Sequence, residues 1–289
     1  RTADLNGDGH VDVVFSGGSE ISPPGPGVSI LLGNGNGSFS SPVLYGATMM
    51  GPIEIGDFNN DGKLDVVGVV QTPSSSELGV LLGNGDGTFG FPVISLAGNW
   101  VCCTGLAVED FNRDGKLDIA QWTGGGLVIG FGNGDGTFSS GPSYGPGGSG
   151  ATVTGVAFGD LNGDGIPDLV MGALSISQQA SLLVFLGNGD GTFQNPISTL
   201  LDEVVYPVAV ADFNLDGKTD VISCGGWYDV SLMLGNGNGT LQAPRQSHIT
   251  SQGCGFAVAD FDGNGAPDLA VAGPTGSSLL LNAAGSHAP

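Results

Sequence analysis

The stretch "DFNNDGKLD", Asp57 to Asp65, places oxygen-bearing side chains at its first, third, fifth and ninth positions and then runs into the apolar residues Val66 to Val70. The same nine-residue pattern recurs five more times. Position one is Asp4, Asp57, Asp110, Asp160, Asp212 or Asp260. Position three is Asn6, Asn59, Asn112, Asn162, Asn214 or Asp262, and position five is Asp8, Asp61, Asp114, Asp164, Asp216 or Asn264. Position nine is Asp12, Asp65, Asp118, Asp168, Asp220 or Asp268. Alternate residues of a tight loop point inward together, and hard oxygen donors at ~2.3 to 2.6 Å are what Ca²⁺ requires. Glycine at position six permits the sharp bend. Position seven varies (His10, Lys63, Lys116, Ile166, Lys218, Ala266), which suits a site using only its backbone carbonyl. The three lysine ammonium groups are expected to lean away from the metal.

An EF-hand would need Glu at position twelve and flanking helices, but Phe15, Gly68 and Gln121 stand there, inside expected strands. The rival reading is a solvated acidic turn closed by Asx hydrogen bonds. Six copies at one spacing favour calcium, because their eighteen carboxylates would otherwise repel one another. Six bound Ca²⁺ would bring the formal charge from −22 to −10.

The loops must be held by something that repeats with them. Their starts are separated by 53, 53, 50, 52 and 48 residues. In the second copy the order is an alternating run (Ile53 to Phe58), the acidic loop, an apolar run (Leu64 to Val70), a variable loop, another apolar run (Leu78 to Leu82), a glycine-rich turn (Gly83 to Gly87) and a last run from Thr88. Four short strands per unit and no helical periodicity predict an all-β chain. A period near fifty with four antiparallel strands predicts a β-propeller of six blades over residues 1–289 as one domain, with repeats starting near 1, 53, 106, 156, 208 and 256. The first strands support interlocking sheets: small residues (Gly56, Ala211, Ala259, Ala107, Ala157, Ala209, Ala257) alternate with Ile55, Val108, Phe158, Val210 and Val258. The turns "GNGNGSF", "GNGDGTF" and "GNGNGTL" read as hairpin turns, since Asn-Gly tolerates positive φ and no helix follows to make a phosphate site.

Fifty-five glycines, nearly three times the usual ~7%, therefore serve turns rather than collagen or disorder. Six basic residues against twenty-eight acids exclude nucleic acid and anionic lipid as partners. No apolar run reaches the ~20 residues of a membrane helix, and a first residue of Arg suggests a trimmed start.

Threading four strands puts acidic loops and glycine turns at one end of each blade and the variable loops at the other. Trp100, Tyr206, Trp227 and Tyr228 gather in or beside those variable loops, and aromatic faces suit sugar rings or protein partners. Cys224 ends a second strand and Cys254 begins the next blade, so the two could bond. Adjacent Cys102 and Cys103 could form a vicinal disulfide or stay as buried thiols. The sequons at Asn36 and Asn238 lie on exposed turns and could be glycosylated. Scattered histidines (His10, His248, His287) and the absence of G-x-S-x-G argue against an enzyme, with Glu109 and Asp229 left as acids outside the loops. The first repeat has only Arg1 to Ala3 for a first strand, and the sixth has no recognisable fourth strand after Asn282. The resulting open edge beside Ser278 to Leu281 could be filled by upstream sequence, by the tail or by a neighbouring chain, the last giving a homo-polymer. A repeat upstream of Arg1 would make a seventh blade.

"DFNxDGxxD" followed by "LLGNGDGTF" at this spacing resembles the FG-GAP/VCBS repeats of integrin α-subunit propellers, fungal propeller lectins and bacterial surface proteins. The resemblance spans essentially the whole chain. It implies calcium at Asp57, Asn59, Asp61, Asp65 and their equivalents, and a ligand face opposite those loops. It further implies an extracellular adhesion or recognition module for glycans or surface proteins. Two alternatives stand beside it: a self-assembling structural subunit and a polysaccharide-processing enzyme.

Overall fold

A computed structural model describes residues 1–17, 27–45, 49–71, 76–98, 105–123, 126–145, 152–175, 177, 179–202, 205–225, 229–249, 255–273 and 276–284. Its strands form six antiparallel sheets in strict chain order. The first comprises β1 (Thr2–Ala3), β2 (Asp12–Gly17), β3 (Gly27–Leu31) and β4 (Val43–Tyr45). The second holds β5 (Met49–Gly56), β6 (Asp65–Gln71), β7 (Ser76–Gly83) and β8 (Phe89–Gly98). The third holds β9 (Leu106–Glu109), β10 (Asp118–Trp122), β11 (Leu127–Gly132) and β12 (Phe138–Tyr144), and the fourth β13 (Thr152–Gly159), β14 (Asp168–Leu174), β15 (Ala180–Phe185) and β16 (Ile197–Leu201). The fifth has β17 (Val205–Ala211), β18 (Asp220–Gly225), β19 (Asp229–Met233) and β20 (Arg245–His248). The sixth has three strands among the described residues, β21 (Gly255–Ala259), β22 (Asp268–Gly273) and β23 (Gly276–Leu280). The fold is an all-β propeller of six blades, as the repeats predict. The chain divides into two compact units, Arg1–Gly145 and Pro146–Pro289, each carrying three blades.

The core lies between neighbouring sheets, where the middle strands turn apolar side chains to both sides. In β6, Val66 and Val70 join Leu5, Val14 and Ile30 of the first blade. Val67 and Val69, on the opposite face, join Leu106 and Ile119 of the third. Equivalent clusters bind blade four to five and blade five to six. At 25 cal/mol per Å², a fully covered Val or Leu contributes about 1.5 to 3 kcal/mol, so a blade gains much of its stability from its neighbours. The predicted small-against-large alternation is present: a Cβ added at Gly56 would lie 2.4 Å from Leu117 Cδ1, and one at Gly159 would lie 2.9 Å from Val210 Cγ2.

Candidate metal centre

Each acidic loop joins the first strand of its blade to the second, and its own amides set its shape. Position one accepts at least two backbone amides in every copy, one on each carboxylate oxygen. In the second blade Asp57 Oδ1 takes the Asp61 N–H at 3.1 Å and Oδ2 the Gly62 N–H at 2.8 Å. Asn59 Oδ1 takes the Asp61 N–H at 3.1 Å, and Asp61 Oδ1 takes the Lys63 N–H at 3.0 Å. The bonds recur in the other five loops, including the last, where Asp262 and Asn264 exchange chemistries. These Asx bonds leave lone pairs on the same oxygens. The glycine at position six has φ near +80° in all six loops, Gly62 at 81° for example, which side chains rarely adopt.

Position nine does something different. Asp12, Asp65, Asp118, Asp168, Asp220 and Asp268 are all buried. Asp65 Oδ2 accepts the N–H of Phe58, at position two, at 2.9 Å, and Oδ1 accepts the N–H of Gly83, the first glycine of the hairpin turn, at 2.8 Å. The four other full blades repeat the glycine bond: Gly33, Gly132, Gly187 and Gly235 donate to their own blade's Asp at 2.7 to 2.9 Å. In the sixth blade Asn282 takes the glycine's place at 2.6 Å. The glycine is required because a Cβ on Gly83 would sit 2.1 Å from the Leu64 carbonyl oxygen. Acidic loop and glycine turn are thus one double loop, buckled by a carboxylate. The buckle also links blades. Phe58 O accepts the Gly136 N–H of the third blade at 3.0 Å, and Leu161 O accepts the Gly239 N–H of the fifth at 3.1 Å.

The hairpin reading of the glycine turns holds. Gly33 bridges Phe39, Gly187 bridges Phe193 and Gly235 bridges Leu241. Asp86 spends its Oδ1 on the N–H and hydroxyl of Thr88 at 3.0 and 2.6 Å, as Asn36 does for Ser38. The position-seven lysines do not lean away. Their stems lie over the turn glycines, and Nζ of Lys63, Lys116 and Lys218 stands 3.5, 3.4 and 3.7 Å from Oδ2 of Asp61, Asp114 and Asp216. An apolar stem packed on glycine leaves the ammonium beside the nearest carboxylate.

Burial and fixed hydrogen bonds push these carboxyls in opposite directions. Desolvation raises Asp65, Asp118, Asp168 and Asp220, with Asp118 and Asp168 pushed up to about 6, against the backbone N–H groups that favour the anion. Backbone bonds lower Asp8 and Asp268 instead, and the Thr88, Thr137 and Thr192 hydroxyls lower Asp86, Asp135 and Asp190. A folded value above the unfolded ~3.9 means the folded chain holds protons that the unfolded chain releases between about pH 4 and 6, so stability falls as pH rises through that window. The lowered groups act at lower pH, losing stability as pH falls below about 4. With divalent ions chelated, the melting temperature is therefore expected to be highest near pH 4 to 5 and lower at pH 7.5. Asp118 and Asp168 together would weaken the fold at neutral pH by roughly 3 kcal/mol after screening. Melting curves in EDTA that rise monotonically from pH 4 to 8 would contradict this.

Position four carries positive φ too, with glycine at 7, 163 and 263 but Asn60, Arg113 and Leu215 at 57°, 60° and 59°. A left-handed Leu costs about 1 to 2 kcal/mol, and Leu215 is also exposed. Leu215→Asn should raise the melting temperature by about 2 °C, read by calorimetry; a lower value would refute the strain.

The donor set fits a hard divalent cation, since positions one, three, five and nine all carry side-chain oxygens. In the sixth loop the carboxylate oxygens of Asp260, Asp262 and Asp268 lie within 4.8 Å of one another. Sequence reasoning took position nine for a ligand alone and missed its role as buckle. It also missed Glu54, which stands where Ala107, Ala157, Ala209 and Ala257 stand in other blades and meets the Arg1 guanidinium; burial pushes its carboxyl up. Its exception to a row of alanines was the visible signal. Glu109 is half-buried in β9, and Asp229 is held by His248 Nδ1 at 2.8 Å across β19 and β20. Cys224 is buried. Trp100, Trp227, Tyr228, Cys102, Cys103 and Cys254 lie outside the described residues, and Tyr206 is described only as part of β17. Asn36 and Asn238 are exposed at turn tips. Among the described residues no helix is long and apolar enough to cross a membrane.

No curated protein matches the chain in sequence. Among solved structures it is similar to an Agrocybe aegerita lectin described as recognising non-reducing terminal N-acetylglucosamine, with 22% identity, 98% of this chain and 76% of that one covered, and a TM-score of 0.63. It is also similar to BBS1N, solved in complex with ARL6DN, at 13% identity, with 81% and 69% covered and a TM-score of 0.50. These likenesses speak to the fold. The model of the FG-GAP-like repeat matches residues 4–68, 57–121, 110–171, 173–223 and 212–271, and with the loops and blades described above this places the chain in the family of FG-GAP-like repeat proteins.

Proposed function

We propose that the protein is an extracellular, calcium-loaded recognition module for glycans or surface proteins, and not an enzyme. The observation that carries the calcium half of the reading is the recurrence of one all-oxygen loop six times, each preshaped by its own amides and each lacking enough countercharge. Positions one, three, five and nine would supply side-chain oxygens and position seven its carbonyl. The bound ion would neutralise carboxylates that burial and proximity disfavour. Loops of this openness suit the millimolar calcium found outside cells, where sites of about 10⁻⁴ to 10⁻³ M affinity fill. An oxidising exterior also suits a Cys224 to Cys254 disulfide and glycans on Asn36 and Asn238.

Glycan recognition is supported by the shared fold with a lectin and by the aromatic-rich variable loops at the blade ends away from the acidic loops. The direct test is an array of glycans and matrix proteins probed with calcium-loaded protein. Binding to a defined set, terminal N-acetylglucosamine structures among them, is expected, with loss when Trp100 or Trp227 becomes Ala. An array blank in calcium would overturn the recognition reading while leaving the metal loops untouched.

A further inference from the structure

Asn followed by Gly occurs ten times in the chain, three times in an acidic loop (Asn6, Asn162, Asn264) and seven times in a glycine turn. Such a pair carries chemistry of its own, because a backbone nitrogen with no side chain beside it can reach the carboxamide carbon before it. Loops and turns hold their pairs differently. In the loops the glycine N–H meets the carboxylate of position one: Gly7 donates to Asp4 Oδ1 at 2.8 Å, Gly163 to Asp160 Oδ1 at 2.7 Å and Gly265 to Asp260 Oδ2 at 2.9 Å. That is the reach of a general base. The carboxamide carbonyls are polarised at the same time, since Oδ1 of Asn6, Asn162 and Asn264 accepts the N–H of Asp8, Asp164 and Ala266 at 3.1, 3.0 and 2.7 Å. The approach is open. A Cβ added at Gly7, Gly163 or Gly265 would meet no atom within 4 Å, and all three glycines are exposed to water.

The turn pairs lack this combination. The stems of Lys63, Lys116 and Lys218 would lie 3.1 to 3.2 Å from a Cβ on Gly85, Gly134 and Gly237, and Leu186 would lie 2.8 Å from one on Gly239. The Gly239 N–H is spent on the neutral Leu161 carbonyl. Among the described residues no carboxylate accepts the N–H of any turn glycine that follows Asn. The remaining loops differ in sequence: Asn60, Arg113 and Leu215 follow the same asparagine, at a left-handed φ that strains them and would not strain glycine. A side chain at that place obstructs attack on Asn59, Asn112 or Asn214.

We propose that Asn6, Asn162 and Asn264 are sites of self-catalysed deamidation in the folded protein. At the first, the Gly7 nitrogen bonds to Asn6 Cγ as its proton passes to Asp4. The Cγ–Nδ2 bond breaks and ammonia leaves with that proton, closing a succinimide. Water then opens the ring, leaving aspartate or isoaspartate. A loop that held three carboxylates thereby carries four. No metal takes part, so the conversion is independent of the calcium reading and of any glycan.

The test is peptide mapping by mass spectrometry of the full chain aged in EDTA at neutral pH, well below its melting temperature, beside the same chain aged in urea. In the folded protein, conversion at Asn6, Asn162 and Asn264 is expected about tenfold faster than at the turn pairs, a modest share of the ~100-fold or more that a positioned base supplies. In urea the ten pairs should convert at similar rates. Leu215→Gly creates an eleventh pair in a loop whose Asp216 N–H already polarises Asn214 at 3.0 Å, and Asn214 should then convert at a rate like that of Asn162. Folded turn pairs that convert as fast as the loop pairs, or an unreactive Asn214 in that variant, would overturn the proposal. So would a preference for the loops that persists in urea, which would assign it to neighbouring sequence.

Discussion

Saturating calcium is expected to raise the melting temperature by about 20 °C or more over the chelated protein. The unfolded chain scatters the donors of each loop, so an ion held by the folded loops would add its affinity to stability. At a hundred times the dissociation constant one site contributes about 2.7 kcal/mol, and several sites act on the same cooperative sheets. The chelated protein starts low for a reason already visible: buried aspartates such as Asp118 and Asp168 hold their protons to about pH 6, so at neutral pH their charges work against folding. Calcium should therefore also invert the pH dependence, making pH 7.5 more stable than pH 4.5. Coincident melting curves with calcium and with EDTA would remove the metal from the explanation.

The second large effect separates buckle from ligand. Asp65→Ala strands the amides of Phe58 and Gly83 in the interior. Each unsatisfied buried donor costs about 1 to 3 kcal/mol, and relief of the disfavoured Asp65 charge returns part of that. A net loss of about 3 kcal/mol is expected, with or without calcium, or roughly a 10 °C fall in melting temperature. Asp61→Ala, by contrast, removes an exposed side chain whose partners, the Lys63 amide and ammonium among them, lie in its own loop. In EDTA it should stay within about 1 kcal/mol of the parent, and in calcium it should lose one site. Equal destabilisation by both variants in EDTA would show that position nine has no structural role beyond the loop.

What the sequence made legible was local or periodic. Spacing near fifty residues placed the sheets, Gly62 and its equivalents placed the bends, and "GNGDGTF" placed the hairpins. β5 begins at Met49, four residues before the predicted run, because a register shift between Met50 and Ile53 lets pairing continue past Gly51 and Pro52. Contacts that join distant segments were not legible. The bond from Gly83 to Asp65 spans 18 residues and the meeting of Arg1 with Glu54 spans 53, and neither leaves a periodic trace. Lysine placement failed for a related reason: Lys63 was judged by its own loop, whereas the glycine of a second loop gives its stem a surface. The aromatic loops assigned to ligand binding, Trp100 and Trp227 among them, have no repeating partner from which their arrangement could be read.

Metal content settles the calcium reading most directly. Protein stripped with EDTA, equilibrated with calcium and titrated calorimetrically, with a parallel elemental count, should hold about six Ca²⁺ per chain, each lost singly with Asp8, Asp61, Asp114, Asp164, Asp216 or Asp262. A chain that binds none at millimolar calcium would contradict it.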